Sequence, residues 1–112
     1  MKVVTIGRLN DNDVIIADDK VSRHHVQIIL DDNGNYIIQD IGSRNGTYVN
    51  GNKITHPTPL NKADIIRIGN TILPWLKYFT QPIINNGVGS NAATLQQKKS
   101  KTFYEKLTSL FQ

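Results

Sequence analysis

The sequence predicts an all-β fold, a sandwich of two antiparallel sheets, followed by a flexible linker and a short C-terminal amphipathic helix. Three observations predict it. Short β-branched runs recur at close spacing through residues 1–79, separated by turn residues, which is the pattern of a sandwich or barrel. The pair Asn50-Gly51 lies between two of these runs, and Asn-Gly supplies the positive φ angles that a two-residue hairpin requires. No stretch before residue 80 holds a sustained helical period.

The runs, in order, are Val3–Ile6, Val14–Ile16, His24–Leu30, Asn35–Gln39, Thr47–Val49, Lys53–Thr55, Ile65–Ile68 and Thr71–Phe79. Asp32-Asn33-Gly34 and Gly69-Asn70 mark further turns between them. In the third run Val26, Ile28 and Leu30 share one face and Gln27 takes the other, as a half-buried strand requires. Residues 1–80 therefore form the expected domain, large enough for a modest core between two packed sheets. After Phe79 the composition turns to Asn, Gly, Ala and Gln, so residues 81–101 read as a flexible linker. Residues 102–112 read as a short helix. Thr102 and Glu105 have capping-box spacing, and Phe103, Leu107, Leu110 and Phe111 recur at 0, +4, +7 and +8. So short a helix is marginal alone in water, and its stripe suits self-association or docking on protein.

Composition narrows the function. The chain has 112 residues, 38% of them hydrophobic and 20% charged, which suits one domain with an appendage and holds no run of the roughly 20 apolar residues that span a membrane. Gly7 and Arg8 interrupt the N-terminus too early for a signal peptide. There is no Cys, which removes disulfides, thiolate nucleophiles and Cys-based zinc sites. A cytoplasmic location is the expectation. The net charge of +4 belongs to the tail. Residues 1–79 carry nine basic against eight acidic groups, and residues 80–112 four against one. Such a tail reads as a solvated segment, and no nucleic acid is expected.

Three polar clusters fall between strands: Gly7-Arg8, Val21-Ser22-Arg23-His24-His25 and Gly42-Ser43-Arg44-Asn45-Gly46-Thr47. They bring Arg8, Arg23 and Arg44, three hydroxyls and the Asn45 amide, and no carboxylate. Guanidinium forks and hydroxyls suit a phosphate oxyanion, and Gly lets backbone N–H groups approach it. Loops at the end of a sandwich are where such folds carry binding residues. His24 and His25 are neighbours in an extended run, so they point apart and do not ligate one metal. A triad could be written from Ser22 or Ser43, His25 and Asp40, but no Gly-x-Ser-x-Gly elbow supports it. No phosphate-binding Gly-x-x-x-x-Gly-Lys loop occurs. No metal, cofactor or catalytic residue is expected.

The order Gly7-Arg8, Ser22-Arg23-His24-His25, Ser43-Arg44-Asn45-Gly46-Thr47, Asn50-Gly51 and Leu60 through Asp64 to Gly69 resembles the forkhead-associated (FHA) domain over about residues 2–79. Val26 and Ala63 depart from it, and Ala63 stands where Gly is common in a turn. The resemblance implies an eleven-stranded β-sandwich that binds phosphothreonine peptides in Ser/Thr kinase signalling. It implies phosphate contacts from Arg8 and Ser22, help from Arg23 and Arg44, and a hold on the peptide backbone by Asn45. Gly7, His25 and Gly46 would support the binding loops. The alternative is a phosphate-independent interaction or oligomerisation domain that works through the C-terminal helix.

Overall fold

The structure, a computed structural model, describes residues 1–83. The expected helix at 102–112 and nearly all of the 81–101 linker lie outside the described residues.

The elements in chain order are β1 (Lys2–Gly7), β2 (Val14–Ile15), β3 (Val26–Leu30), β4 (Tyr36–Asp40), β5 (Thr47–Val49), β6 (Asn52–Lys53), β7 (Thr58–Leu60), β8 (Ile66–Ile68), β9 (Thr71–Leu73) and α1 (Lys77–Thr80). They form a five-stranded sheet ordered β2-β1-β3-β4-β7 and a four-stranded sheet ordered β6-β5-β8-β9. The described residues thus hold nine strands, not eleven. The larger sheet is mixed rather than purely antiparallel, because β2 pairs with β1 in parallel through Ile6↔Val14 and Gly7↔Ile15.

Alternation decides which side chains go inside. Val4 and Ile6 of β1, Val26 and Ile28 of β3, and Ile38 of β4 meet Val49, Ile66, Ile68 and Leu73 of the opposite sheet, all buried in one cluster. The β5–β6 hairpin turns on Asn50 (φ 53°) and Gly51 (φ 83°), both left-handed as the Asn-Gly pair predicts. Ala63 does not adopt a positive φ, so that turn closes without glycine. Asp64 holds it instead, accepting from the Asn61 N–H at 2.8 Å and from Asn50 Nδ2 at 2.9 Å.

Two further expectations need correction. The last run is a strand only over Thr71–Leu73. Pro74 cannot extend a ladder, and the chain turns into α1, with the Lys77 N–H donating to the Pro74 carbonyl at 3.1 Å. Trp75, Tyr78 and Phe79 are buried at spacings 0, +3 and +4, and Tyr36 meets the Trp75 and Phe79 rings edge-on at 5.1 and 5.2 Å. Ile83 is buried in the same cluster, so the packed chain continues past residue 80. The second correction is β7, which carries Pro59 and was absent from the expected runs. It is an edge strand, where a missing N–H is tolerated.

Candidate functional site

At the end of the sandwich where β1 finishes and β3 begins, three loops meet: residues 8–13, 16–25 and 41–46. Their convergence is built by backbone hydrogen bonds. The Arg8 N–H donates to the Ser22 carbonyl at 3.0 Å, and the Leu9 N–H to the Arg23 carbonyl at 3.2 Å. Gly7 permits this approach, because a Cβ there would sit 2.2 Å from the Arg23 carbonyl oxygen and 2.8 Å from Asn12 Nδ2. Asn12 is buried, and its amide nitrogen donates to both the Leu9 and Arg23 carbonyls at 2.8 Å.

His25 is the second join. It is fully buried, and its Nδ1 accepts from the Ser22 N–H at 3.0 Å. The proton therefore sits on Nε2, which donates to the Gly46 carbonyl at 2.9 Å. One ring thus fixes the 16–25 loop to the 41–46 loop. Gly46 has a φ of 88°, the left-handed conformation that favours glycine. Asn45 adds a parallel tie, donating from Nδ2 to the Lys20 carbonyl at 2.8 Å.

Asp40 shapes the third loop. Its carboxylate accepts from the Gly42 N–H at 2.9 Å, the Ser43 N–H at 2.7 Å, the Ser43 hydroxyl and the Thr47 hydroxyl at 2.7 Å. Partial burial pushes its pKa up, but these donors, the Ser43 hydroxyl foremost, outweigh it and hold the carboxyl below the usual carboxylate value. Asp18 braces the 16–25 loop from behind, accepting from the Lys20, Asn70 and Thr71 groups. Those hydrogen bonds, from Lys20 and Asn70 first, hold its pKa down.

Arg8, Leu9, Ser22, Arg23, His24, Ile41, Gly42 and Arg44 line an open depression of about 810 Å³ over these loops. Arg8 is oriented by its Nε, which donates to the Val21 carbonyl at 3.1 Å. Its terminal nitrogens have no partner among the described residues. The Ser22 hydroxyl oxygen accepts from the Arg44 N–H at 3.0 Å, which leaves its own proton to give. Arg23 and Arg44 are exposed. The structure thus brings Arg8, Ser22, Arg23 and Arg44 to one rim, with Asn45 beside it. Asn45 spends one N–H on Lys20, and its carbonyl oxygen remains an acceptor.

Two of the expected hydroxyl donors are not on this rim. Ser43 and Thr47 both turn inward to Asp40, and Thr47 is fully buried. Asp40 is therefore a loop organiser rather than a member of a triad, and His25 faces backbone groups. His24 also lines the depression, with its Nε2 3.0 Å from both Asp11 oxygens. Among the described residues no cluster of three or more metal-ligating side chains occurs, and no helix is long and apolar enough to cross a membrane. Asn12, Asp18 and Asp40 were not singled out as supports by the sequence. Asp40-x-x-Ser43 and Asp18-x-Lys20 are local turn spacings that could have pointed to two of them.

Fold and site together define a β-sandwich that presents a cationic, hydrogen-bond-donating rim on three interlocked end loops. The FHA domain family model matches residues 4–69, and the chain belongs to that family. The transcriptional regulatory protein EmbR of Mycobacterium tuberculosis is 46% identical over 63 residues, covering 56% of this chain and 16% of EmbR. The chain thus spans about a sixth of that relative's length. Among solved structures, EmbR in complex with a low-affinity phosphopeptide matches with a TM-score of 0.59 at 41% identity, over 62% of this chain and 18% of that one. The FHA domain of CT664 from Chlamydia trachomatis matches with a TM-score of 0.62 at 32% identity, over 63% and 72% of the two chains.

Proposed function

We propose that this chain is a phosphothreonine-dependent protein-binding module in Ser/Thr kinase signalling, and not an enzyme. One observation carries the reading. Arg8 is held by its Nε while its terminal nitrogens have no partner among the described residues, on a rim shared with Ser22, Arg23 and Arg44. A guanidinium aimed this way gives charge-assisted bonds to a phosphate. The Ser22 hydroxyl donates to a second phosphate oxygen, and Arg23 and Arg44 add charge at the rim. Asn45 takes a peptide N–H with its free carbonyl oxygen. Gly7, His25 and Gly46 hold the loops in place. EmbR, a family relative, has been solved with a phosphopeptide, which supports the same ligand class here. We place the encounter in the cytoplasm, on residues 1–80 together with the packed Ile83 as the binding unit.

The test is calorimetric titration of the full chain with phosphothreonine peptides selected from a library. Binding should vanish without the phosphate. Arg8→Ala should weaken it tenfold or more, since a hydrogen bond to a charged group contributes about 1.5–3 kcal/mol. Equal affinity for phosphorylated and unphosphorylated peptides would defeat the proposal.

A further inference from the structure

The outer face of the five-stranded sheet carries an apolar row that lies outside the core cluster. Register places it residue by residue: Val3 opposite Ile29, Ile29 opposite Ile37, and Ile37 opposite Pro59. These four positions cross β1, β3, β4 and β7 in spatial order. Their strand neighbours Val4, Ile28, Ile38 and Leu60 belong to the core, so alternation sends the row to the opposite face. Val3 is 39% exposed and Pro59 is exposed, while Ile29 and Ile37 between them are half-buried. The solvent face of an antiparallel sheet is ordinarily polar, as the adjoining Thr5, Gln27 and Gln39 are.

We propose that residues 102–112 of this same chain dock along this row. Their apolar residues Phe103, Leu107, Leu110 and Phe111 form one stripe in sequence. As a helix that stripe is about 12 Å long, and three strand spacings make the row about 14 Å. The described chain ends at Ile83, packed in the core, a few residues after Phe79, which meets the Tyr36 ring. Tyr36 pairs with Leu60, one step along the strands from the Pro59 end of the row. Eighteen residues lie between, 84–101, and a chain of that length would span about 24 Å as a coil, enough to return across the sheet. Charge agrees as well. Lys98, Lys99 and Lys101 lead into the segment, while Asp31 lies at the β3–β4 turn beside Asp32, which pairs with the Met1 ammonium, and Asp13 accepts from the Thr5 N–H at 3.0 Å. Val3 lies four strand residues from Gly7, about 13 Å, so the docked segment leaves the phosphate rim open.

The test compares the full chain with its Leu107→Glu/Leu110→Glu variant, which alters nothing in the sandwich. The methyl resonances of Val3, Ile29 and Ile37 should shift in the variant, those of Ile28 and Ile38 much less. Both proteins should sediment as monomers, and phosphopeptide affinity should agree within about twofold, because the two sites are distant. Unchanged Ile29 and Ile37 methyls would overturn the proposal. So would shifts that track a doubling of mass with concentration, which would make a second copy the occupant. Wild-type Ile29 and Ile37 signals that move only on adding phosphatidylserine vesicles would assign the face to a lipid surface and overturn it too. The readout needs no phosphopeptide, so it stands or falls separately from the proposed function.

Discussion

Replacing Asp40 by Ala removes the acceptor for four donors around the 41–46 loop. The costs differ by position. Thr47 is fully buried, and its hydroxyl would be left there without an acceptor, a loss of about 2 kcal/mol. The Gly42 and Ser43 N–H groups and the Ser43 hydroxyl lie nearer the surface and turn to water, at about 0.5 kcal/mol each. The sum, about 3.5 kcal/mol, is a large share of the roughly 4–12 kcal/mol that holds a domain of this size. Urea and thermal unfolding can be followed through Trp75, the single tryptophan and a buried one. The melting temperature should fall by about 15 °C. Phosphopeptide affinity should fall about fivefold, because Arg44 and Asn45 must be re-ordered on binding at about 1 kcal/mol. Asp40→Ala combined with Thr47→Val should lose about 1 kcal/mol less than the sum of the single losses, because the double variant buries no orphaned hydroxyl. A loss under about 1 kcal/mol for Asp40→Ala, or strict additivity in that cycle, would refute the assignment of Asp40 as the organiser of this loop.

Other outcomes follow from the same geometry. Gly7→Ala should destabilise by about 3 kcal/mol in denaturant unfolding, because its Cβ would lie 2.2 Å from the Arg23 carbonyl oxygen; a neutral result would mean that the loops part easily. Affinity for a phosphothreonine peptide should be flat above neutral pH and fall as the phosphate protonates near pH ~6, measured by titration in matched buffers. The Asp40 carboxyl is held below its ordinary value of 3.8, so its stabilising effect is complete above that value and lost as pH falls through its lower, folded-state pKa. Loop amide protection factors, exchange rates taken relative to the intrinsic rate at each pH, should therefore hold down to about pH 4 and fall only in stronger acid. A matched phosphoserine peptide should bind more weakly than phosphothreonine, by at least the ~0.8 kcal/mol of one buried methyl, and equal affinity would exclude a methyl pocket.

The sequence by itself determined the class of the fold and the residues of the rim. β-branched alternation is a local pattern, and Asn50-Gly51 sets its own dihedrals. Gly7-Arg8, Ser22-Arg23 and Arg44-Asn45 were legible because each is a short contiguous motif. The helix at Lys77–Thr80 was legible in principle, from Pro74 and the 0, +3, +4 spacing of Trp75, Tyr78 and Phe79, but the apolar run Thr71–Phe79 reads equally well as one strand. Only the tertiary structure decided what the polar groups do. Ser22, Ser43 and Thr47 are alike as hydroxyls in sequence. Yet Ser22 keeps its proton at the rim, while Ser43 and Thr47 give theirs to Asp40. Asn12, five residues beyond Gly7, holds two carbonyls from two loops. The parallel pairing of β2 with β1 and the apolar row from Val3 to Pro59 exist only once register is set. The reason is range. Backbone conformation and alternation depend on neighbours in the chain, whereas a hydrogen bond between residues 25 and 46 depends on where two distant loops are brought together by the core beneath them.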